Sequence, residues 1–198
     1  LPFARMLNIK SEIWNLDPFA ADGFAWDIAK DVTDHSTAKQ IASVLVPVDD
    51  GLREPFFQQA VHNLFEAVVI RLRETAGENW TFRDVILAFD KQSRLEKLLQ
   101  GSSQTERLAE SFLKARRSFD DVRASIRAKL RPYDIVAALW SKAGNRKKSV
   151  TEWAQSRAIL MVMHRDKFEE AIKPINQVIF RMVSTVLLSQ SDSTTRAS

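Results

Sequence analysis

The chain has 198 residues, 45% of them apolar and 27% charged, with no cysteine and a formal net charge of +4. That length buries roughly two-thirds of its unfolded surface in one core or two small ones, and the lack of Cys excludes disulfides, thiolate nucleophiles and Cys-based zinc or iron–sulfur sites. Five Gly and six Pro exclude a low-complexity chain, and no run reaches the roughly 18 uninterrupted apolar residues of a membrane span, so the composition is that of a soluble globular segment.

In chain order, Glu12-Ile-Trp-Asn-Leu16 before Asp17-Pro18 is a brief apolar run bounded by turn formers, the pattern of a buried strand. A helix is predicted at about 34–45 and stops before Pro47. Between Pro55 and Ala76 the residues Ala60, Val61, Leu64, Phe65, Val68, Val69 and Leu72 recur at helical spacing and paint one wide stripe, which makes this the core helix. Gly77 ends it. Thr81-Phe-Arg-Asp84 then reads as a capping box opening a helix to about Phe89. Further helices are predicted at about 93–99, 103–117, 119–130, 133–142 and 150–155, with Gly101, Pro132 and Gly144 at the breaks. Ala158-Ile-Leu-Met-Val-Met163 is the second strand, and Phe168 to Leu188 is again helical, with Pro174 either kinking it or opening its main segment. The fold class is therefore mainly α, a multi-helix domain with short flanking strands at about 12–16 and 158–164. The start at Leu1 rather than Met and the polar stretch Ser191 to Ser198 create the expectation of a piece of a longer protein.

The charge is unevenly distributed. Residues 1–60 hold 5 basic and 9 acidic side chains, whereas residues 107–131 hold 8 and 3 and residues 132–198 hold 10 and 6. An acidic front and a basic back bear on partners and association rates, not on the fold. In the basic part Arg116, Asp120, Arg123, Arg127 and Arg131 share one helical face, flanked by Arg117 and Lys129, while Phe119, Val122, Ile126 and Leu130 form the adjacent apolar face. A sharp break near Ser118 would take Arg116 out of this stripe. Two readings stay open: a solvated face with local pairs from Asp120 to Arg116 and Arg123, or a phosphate-facing DNA surface extended by Arg146, Lys147 and Lys148. The tryptophans sit near helix starts or on apolar faces and read as packing anchors, and Tyr133 is the sole aromatic close to the basic residues that could stack a base.

Sites of other kinds are not legible. GxxxxGK[ST] is absent, and Gly144-Asn-Arg-Lys-Lys-Ser149 has the wrong spacing and reads as a basic turn. Val85-Ile-Leu-Ala-Phe-Asp90 imitates a strand that ends in a magnesium-holding Asp, but it follows a capping box and reads as a helix. GxSxG and HExxH are missing, and His35, His62 and His164 stand far apart, so neither a catalytic residue nor a metal site is assigned.

The succession of segments carries a resemblance. Trp14-Asn-Leu-Asp-Pro-Phe19, Ala25-Trp-Asp-Ile-Ala29, Ala38 to Pro47, Pro55 to Phe65, Trp80 to Ala88, Ser149-Val-Thr-Glu-Trp153, Ala158 to Asp166 and Lys173-Pro-Ile-Asn176 together resemble the TraD/TraG-type coupling proteins of conjugative type IV secretion systems. The resemblance implies a RecA-like α/β motor domain interrupted by an all-α domain: residues 1–23 as the edge of the motor, 24–148 as the insertion, and 149–198 as the return to the motor. It implies Walker A and Walker B motifs outside this chain, so that the chain alone holds no cofactor and is inactive, while ATP and Mg serve the full-length DNA-translocating ATPase. It further implies DNA and relaxase as partners, other secretion components beside them, a homo-hexamer in the full-length protein with a monomeric fragment, and a cytoplasmic domain of an inner-membrane-anchored bacterial protein. Arg165, in the charged turn after the second strand, is placed near the nucleotide by the same resemblance. The alternative function is a docking module for relaxase or another secreted protein with no direct DNA contact.

Overall fold

Residues 11–47, 55–101 and 116–196 are described by the computed structural model. Strand β1 (Ile13–Leu16) pairs in parallel with β4 (Ile159–Val162), in the register Ile13 to Ile159 through Leu16 to Val162. The two predicted strands therefore lie side by side although nearly the whole chain separates them. Parallel neighbours need a crossover connection, and here that connection is the helical body.

The body follows in order. A short pair, β2 (Ala25–Trp26) with β3 (Lys147–Lys148), is also parallel. Helices α1 (Ile28–Asp31), α2 (His35–Leu45), α3 (Pro55–Ala76), α4 (Phe82–Ala88), α5 (Gln92–Leu99) and α6 (Arg116–Leu130) lead into a 3₁₀ turn at Arg131–Tyr133 and α7 (Asp134–Trp140). After β3 come α8 (Val150–Ala154), β4 and the long α9 (Glu169–Arg196). Helix α6 runs unbroken through Ser118, because neither Gly nor Pro interrupts it. The predicted helix at 103–117 lies almost wholly outside the described residues. The basic turn expected at 144–149 is in part a strand, since Ala25 N–H and Asp27 N–H donate to the carbonyls of Arg146 and Lys148, both at 2.9 Å.

Local rules explain most boundaries. Asp34 accepts from Thr37 N–H at 2.8 Å and caps α2, and that backbone bond holds its carboxyl below the usual range. The capping box before α4 closes through Asp84, whose Oδ2 accepts from Thr81 N–H at 2.8 Å and from its hydroxyl at 2.7 Å. Gly77 ends α3 with φ of +59°, and its N–H donates to Arg73 O. Gly23 is required for a different reason: a Cβ there would meet Asp17 O at 1.9 Å, so the tight loop after β1 admits no side chain. Helix α9 continues through Pro174, whose missing N–H deprives the Glu170 carbonyl of its intrahelical donor.

The stripe on α3 is the centre of the core, with Leu64, Phe65, Val68 and Val69 fully buried. Phe65 stacks on Phe89 with 6.2 Å between ring centres, and Phe82 meets Tyr133 at 5.7 Å. One buried cluster runs from Leu16 and Met163 beside the strands through α2, α3 and α4 to Ile172, Ile175 and Ile179 of α9. By length and mean hydropathy of 1.2, Asp166–Ser189 is the one described stretch apolar enough to cross a bilayer. Ala171, Ile172, Ile175, Val178, Ile179 and Met182 recur at helical spacing on the one face that packs on the core, while Phe180, Leu187 and Leu188 are exposed. Glu66, also buried in α3, pairs with His35 Nδ1 at 2.7 Å.

Tyr133 gives a pH signature. Its hydroxyl donates to Leu45 O at 3.2 Å, and burial, aided by the charge of Glu170, pushes its phenol from 10.0 up to about 12. A folded-state pKa raised in this way contributes stability that is complete below the unfolded value and is lost as pH rises toward 12. Urea unfolding at about pH 8 and about pH 11 should show an extra loss of about 1 kcal/mol in the parent that Tyr133→Phe lacks. Equal losses in both proteins would rule this out.

Candidate nucleic-acid interface

Helix α6 presents its apolar side inward, with Phe119, Val122, Ile126 and Leu130 at most 2% exposed. Its basic side does not simply face solvent. Arg123 Nε donates to Asp120 Oδ1 at 2.8 Å, and its Nη1 reaches across to Phe89 O at 2.7 Å and Asp90 O at 3.3 Å. Those carbonyls end α4, so the guanidinium supplies donors and positive charge where a helix C-terminus lacks both. Arg127 Nε donates to Asp90 Oδ1 at 2.6 Å, and Nη2 donates to Asp134 Oδ2 at 2.9 Å. Partial burial works against the charge of Arg127, but the bonds to Asp134 and Asp90 outweigh it and its pKa stands above the ordinary value.

The remaining predicted contacts divide in the same way. Lys148 Nζ lies 4.0 Å from the ring centre of Trp14 and 5.3 Å from that of Phe24, a cation–π sandwich over β1. Arg146 is exposed but donates from Nη1 to Ala21 O at 2.7 Å. Lys147 is half-buried and acts on Asp27, whose carboxyl burial raises and the charges of Lys147 and Lys30 pull back. Lys129 is half-buried and Arg131 is exposed. The side chains of Arg116 and Arg117 lie outside the described residues. Of the two readings left open for the arginine face, the pair from Asp120 to Arg123 is present. Two longer-range pairs accompany it that spacing could not reveal.

Arg165 sits at the carboxyl end of β4. Its Nη2 donates to Asp17 Oδ2 at 2.6 Å, which joins the ends of β4 and β1, and its guanidinium carbon lies 5.7 Å from the Phe19 ring centre. Phe19 in turn stacks on Phe168 at 4.5 Å.

One site escaped the sequence reading. Asp31, 3% exposed, accepts from Trp26 Nε1 at 2.7 Å, Val150 N–H at 2.8 Å, Thr151 N–H at 2.9 Å and Thr151 Oγ1 at 2.9 Å. It thus caps α8 from a distant part of the chain, beside the local capping box in which Glu152 N–H donates to Ser149 Oγ at 3.0 Å. Lys30 and Glu152 pair at 2.5 Å alongside, and that bond raises the pKa of Lys30. The four-residue spacing of Ser149-Val-Thr-Glu152 was a usable local signal for the helix start; nothing local points to Asp31.

Among the described residues no group of three or more His, Asp or Glu side chains could hold a metal ion. Gly77, Gly101 and Gly144, the glycines with positive φ, are isolated turn residues rather than a phosphate-cradling loop.

A mainly helical domain closed by short parallel strands, with an arginine-rich helix on its flank, is the class that this architecture defines. The chain belongs to the type IV secretion-system coupling protein DNA-binding domain family, whose profile matches residues 10–197. No curated protein and no solved structure matches it.

Proposed function

We propose that this domain guides DNA and relaxase to a hexameric, DNA-translocating ATPase of conjugation, as an all-α insertion at about 24–148 flanked by two pieces of a RecA-like motor sheet. The observation that carries the reading is the parallel pairing of Ile13–Leu16 with Ile159–Val162 around a helical crossover. Parallel strands are almost always covered on both faces, whereas Ile159, Met161 and Val162 are 37–43% exposed. An apolar strand of this kind at a sheet edge suits a larger parallel sheet, with ATP and Mg bound by residues outside this chain. The full-length protein is then anchored in the bacterial inner membrane, with this domain on the cytoplasmic side, where other secretion components meet it.

The test is the affinity of the chain for duplex and single-stranded oligonucleotides over a range of salt. Each phosphate neutralised on duplex DNA contributes about 0.9 to the log–log slope, and about 0.7 on a single strand. A flat salt response would sink the DNA-guiding role. The engagement of Arg123, Arg127 and Lys148 within the fold favours a second reading, in which the helical body chiefly docks relaxase. Retention of relaxase by a chain that shows no DNA affinity would select that reading.

A further inference from the structure

The chain passes between the strands β1 and β4 and the helical body twice, and the two passages are fastened to each other. Ala25 N–H and Asp27 N–H donate to the carbonyls of Arg146 and Lys148, and Asp31 holds the start of α8. Asp27 lies in the middle of this junction, yet its carboxylate is poorly served there. The side chain is 9% exposed, Oδ1 is buried without a hydrogen-bond partner, and although the residue immediately precedes α1 it makes no capping bond. Lys30 Nζ stands 3.9 Å from Oδ2 but is drawn to Glu152 Oε1 at 2.5 Å. An ionised carboxylate in such a place gives up its hydration for weak compensation.

The charged groups that act on it are Lys30 and Asp31 of α1, Lys147 of β3 and Glu152 of α8, while Glu78 acts on Lys30 in turn. Burial is the strongest influence and opposes the charge; Lys147 and Lys30 favour it, and Glu152 and Asp31 oppose it. The Asp27 pKa therefore stands above the ordinary carboxylate value.

We propose that Asp27 is a proton-operated latch on the junction of β2 with β3: with a proton on its carboxyl the junction is held shut, and with that proton lost to solvent it opens more readily. In the open junction Asp27 is hydrated and binds the proton less tightly. The contribution to closure is thus complete below the ordinary carboxylate range and is lost as pH rises through the folded-state value. Glu152 works in the opposite sense. Burial opposes its charge, but the bonds to Lys30 and Ser149 outweigh it and its pKa is lowered, so its tie to Lys30 is lost only as pH falls below the ordinary range. The latch is independent of which partner the helical body meets, DNA or relaxase, because it sets only how firmly that body is joined to the strands.

Amide hydrogen exchange of the ¹⁵N-labelled chain, followed at Ala25 and residue 27 and corrected for the intrinsic pH dependence of exchange, measures the opening. From about pH 4.5 to about pH 7 the opening constant in the parent should rise more steeply than at Val68 and Val69 of α3, by at most about tenfold per pH unit, the limit for one proton. Asp27→Asn should remove the extra rise and leave Ala25 better protected than in the parent at about pH 7. Lys147→Gln takes away an attraction for the charged form and should move the rise to higher pH. A parent slope no steeper than that of Val68 and Val69 overturns the latch, as does an Asp27→Asn chain that keeps the rise or loosens Ala25. If Asp27→Asn does not fold, Lys147→Gln decides alone, and a rise left in place or moved to lower pH overturns the latch.

Discussion

Replacing Asp31 with alanine is expected to lower the unfolding free energy by about 3–5 kcal/mol, a large part of the roughly 5–15 kcal/mol available to a domain. The carboxylate accepts four bonds, and three of the donors, Trp26 Nε1 and the amides of Val150 and Thr151, have Asp31 as their acceptor. Alanine leaves Trp26 Nε1 and the Val150 amide unpaired in a buried place, at about 1–3 kcal/mol each but less than additively, while the Thr151 amide, on an exposed residue, costs less. It also removes the charge at the start of α8. Asp31→Asn should fall between parent and alanine. Oδ2 serves Trp26 and Val150 while Oδ1 serves Thr151, and an amide can keep only one of these oxygens as an acceptor. Urea unfolding gives the magnitude, and hydrogen exchange of residues 150–154 locates it. Should Asp31→Ala match the parent in both, Asp31 does not hold the two ends of the helical body together.

What the sequence made legible were features whose partners lie within about four residues. The stripe from Ala60 to Leu72, the box from Thr81 to Asp84 and the single face of α6 all follow from helical periodicity, and each is present. The strands were readable because a short apolar run between turn formers has few other uses, but that they pair in parallel, Ile13 with Ile159 through Leu16 with Val162, is not legible in the runs themselves. The pair formed by β2 and β3 was not readable: two lysines carry no strand signal, and backbone bonds to Ala25 and Asp27 create the strand. The arginine face illustrates the same limit at the candidate site. Periodicity places Arg123 and Arg127 on one side of a helix, but only the tertiary fold brings Asp90 and the end of α4 under them. Lys148, which reads as part of a basic turn, is drawn onto Trp14 from the far end of the chain. Basic residues that look free in sequence are thus divided by the fold into cations that satisfy carbonyls, carboxylates and rings, and cations that remain exposed.

That division makes a prediction about charge reversal. Arg127→Glu is expected to destabilise the domain by about 2–3 kcal/mol, and so to lower its melting temperature by roughly 5–10 °C for a chain of this size. The new carboxylate would stand next to Asp90 and Asp134, converting two attractions into repulsions at partly shielded positions 27–44% exposed. Exposure keeps the effect below that of a fully buried pair. Arg131→Glu, at an exposed position, should change stability by no more than about 0.5 kcal/mol. If Arg131 meets a DNA phosphate, its reversal should flatten the salt slope by about one while the melting curve stays in place. A loss of DNA affinity in Arg127→Glu therefore counts toward DNA contact only when measured well below its lowered melting temperature. There the arrangement predicts that affinity recovers most of the way to the parent value, because Arg127 Nε and Nη2 are held by Asp90 and Asp134 and its Nη1 is buried. A fully folded Arg127→Glu with parental melting and a smaller salt slope would show that its guanidinium faces DNA instead.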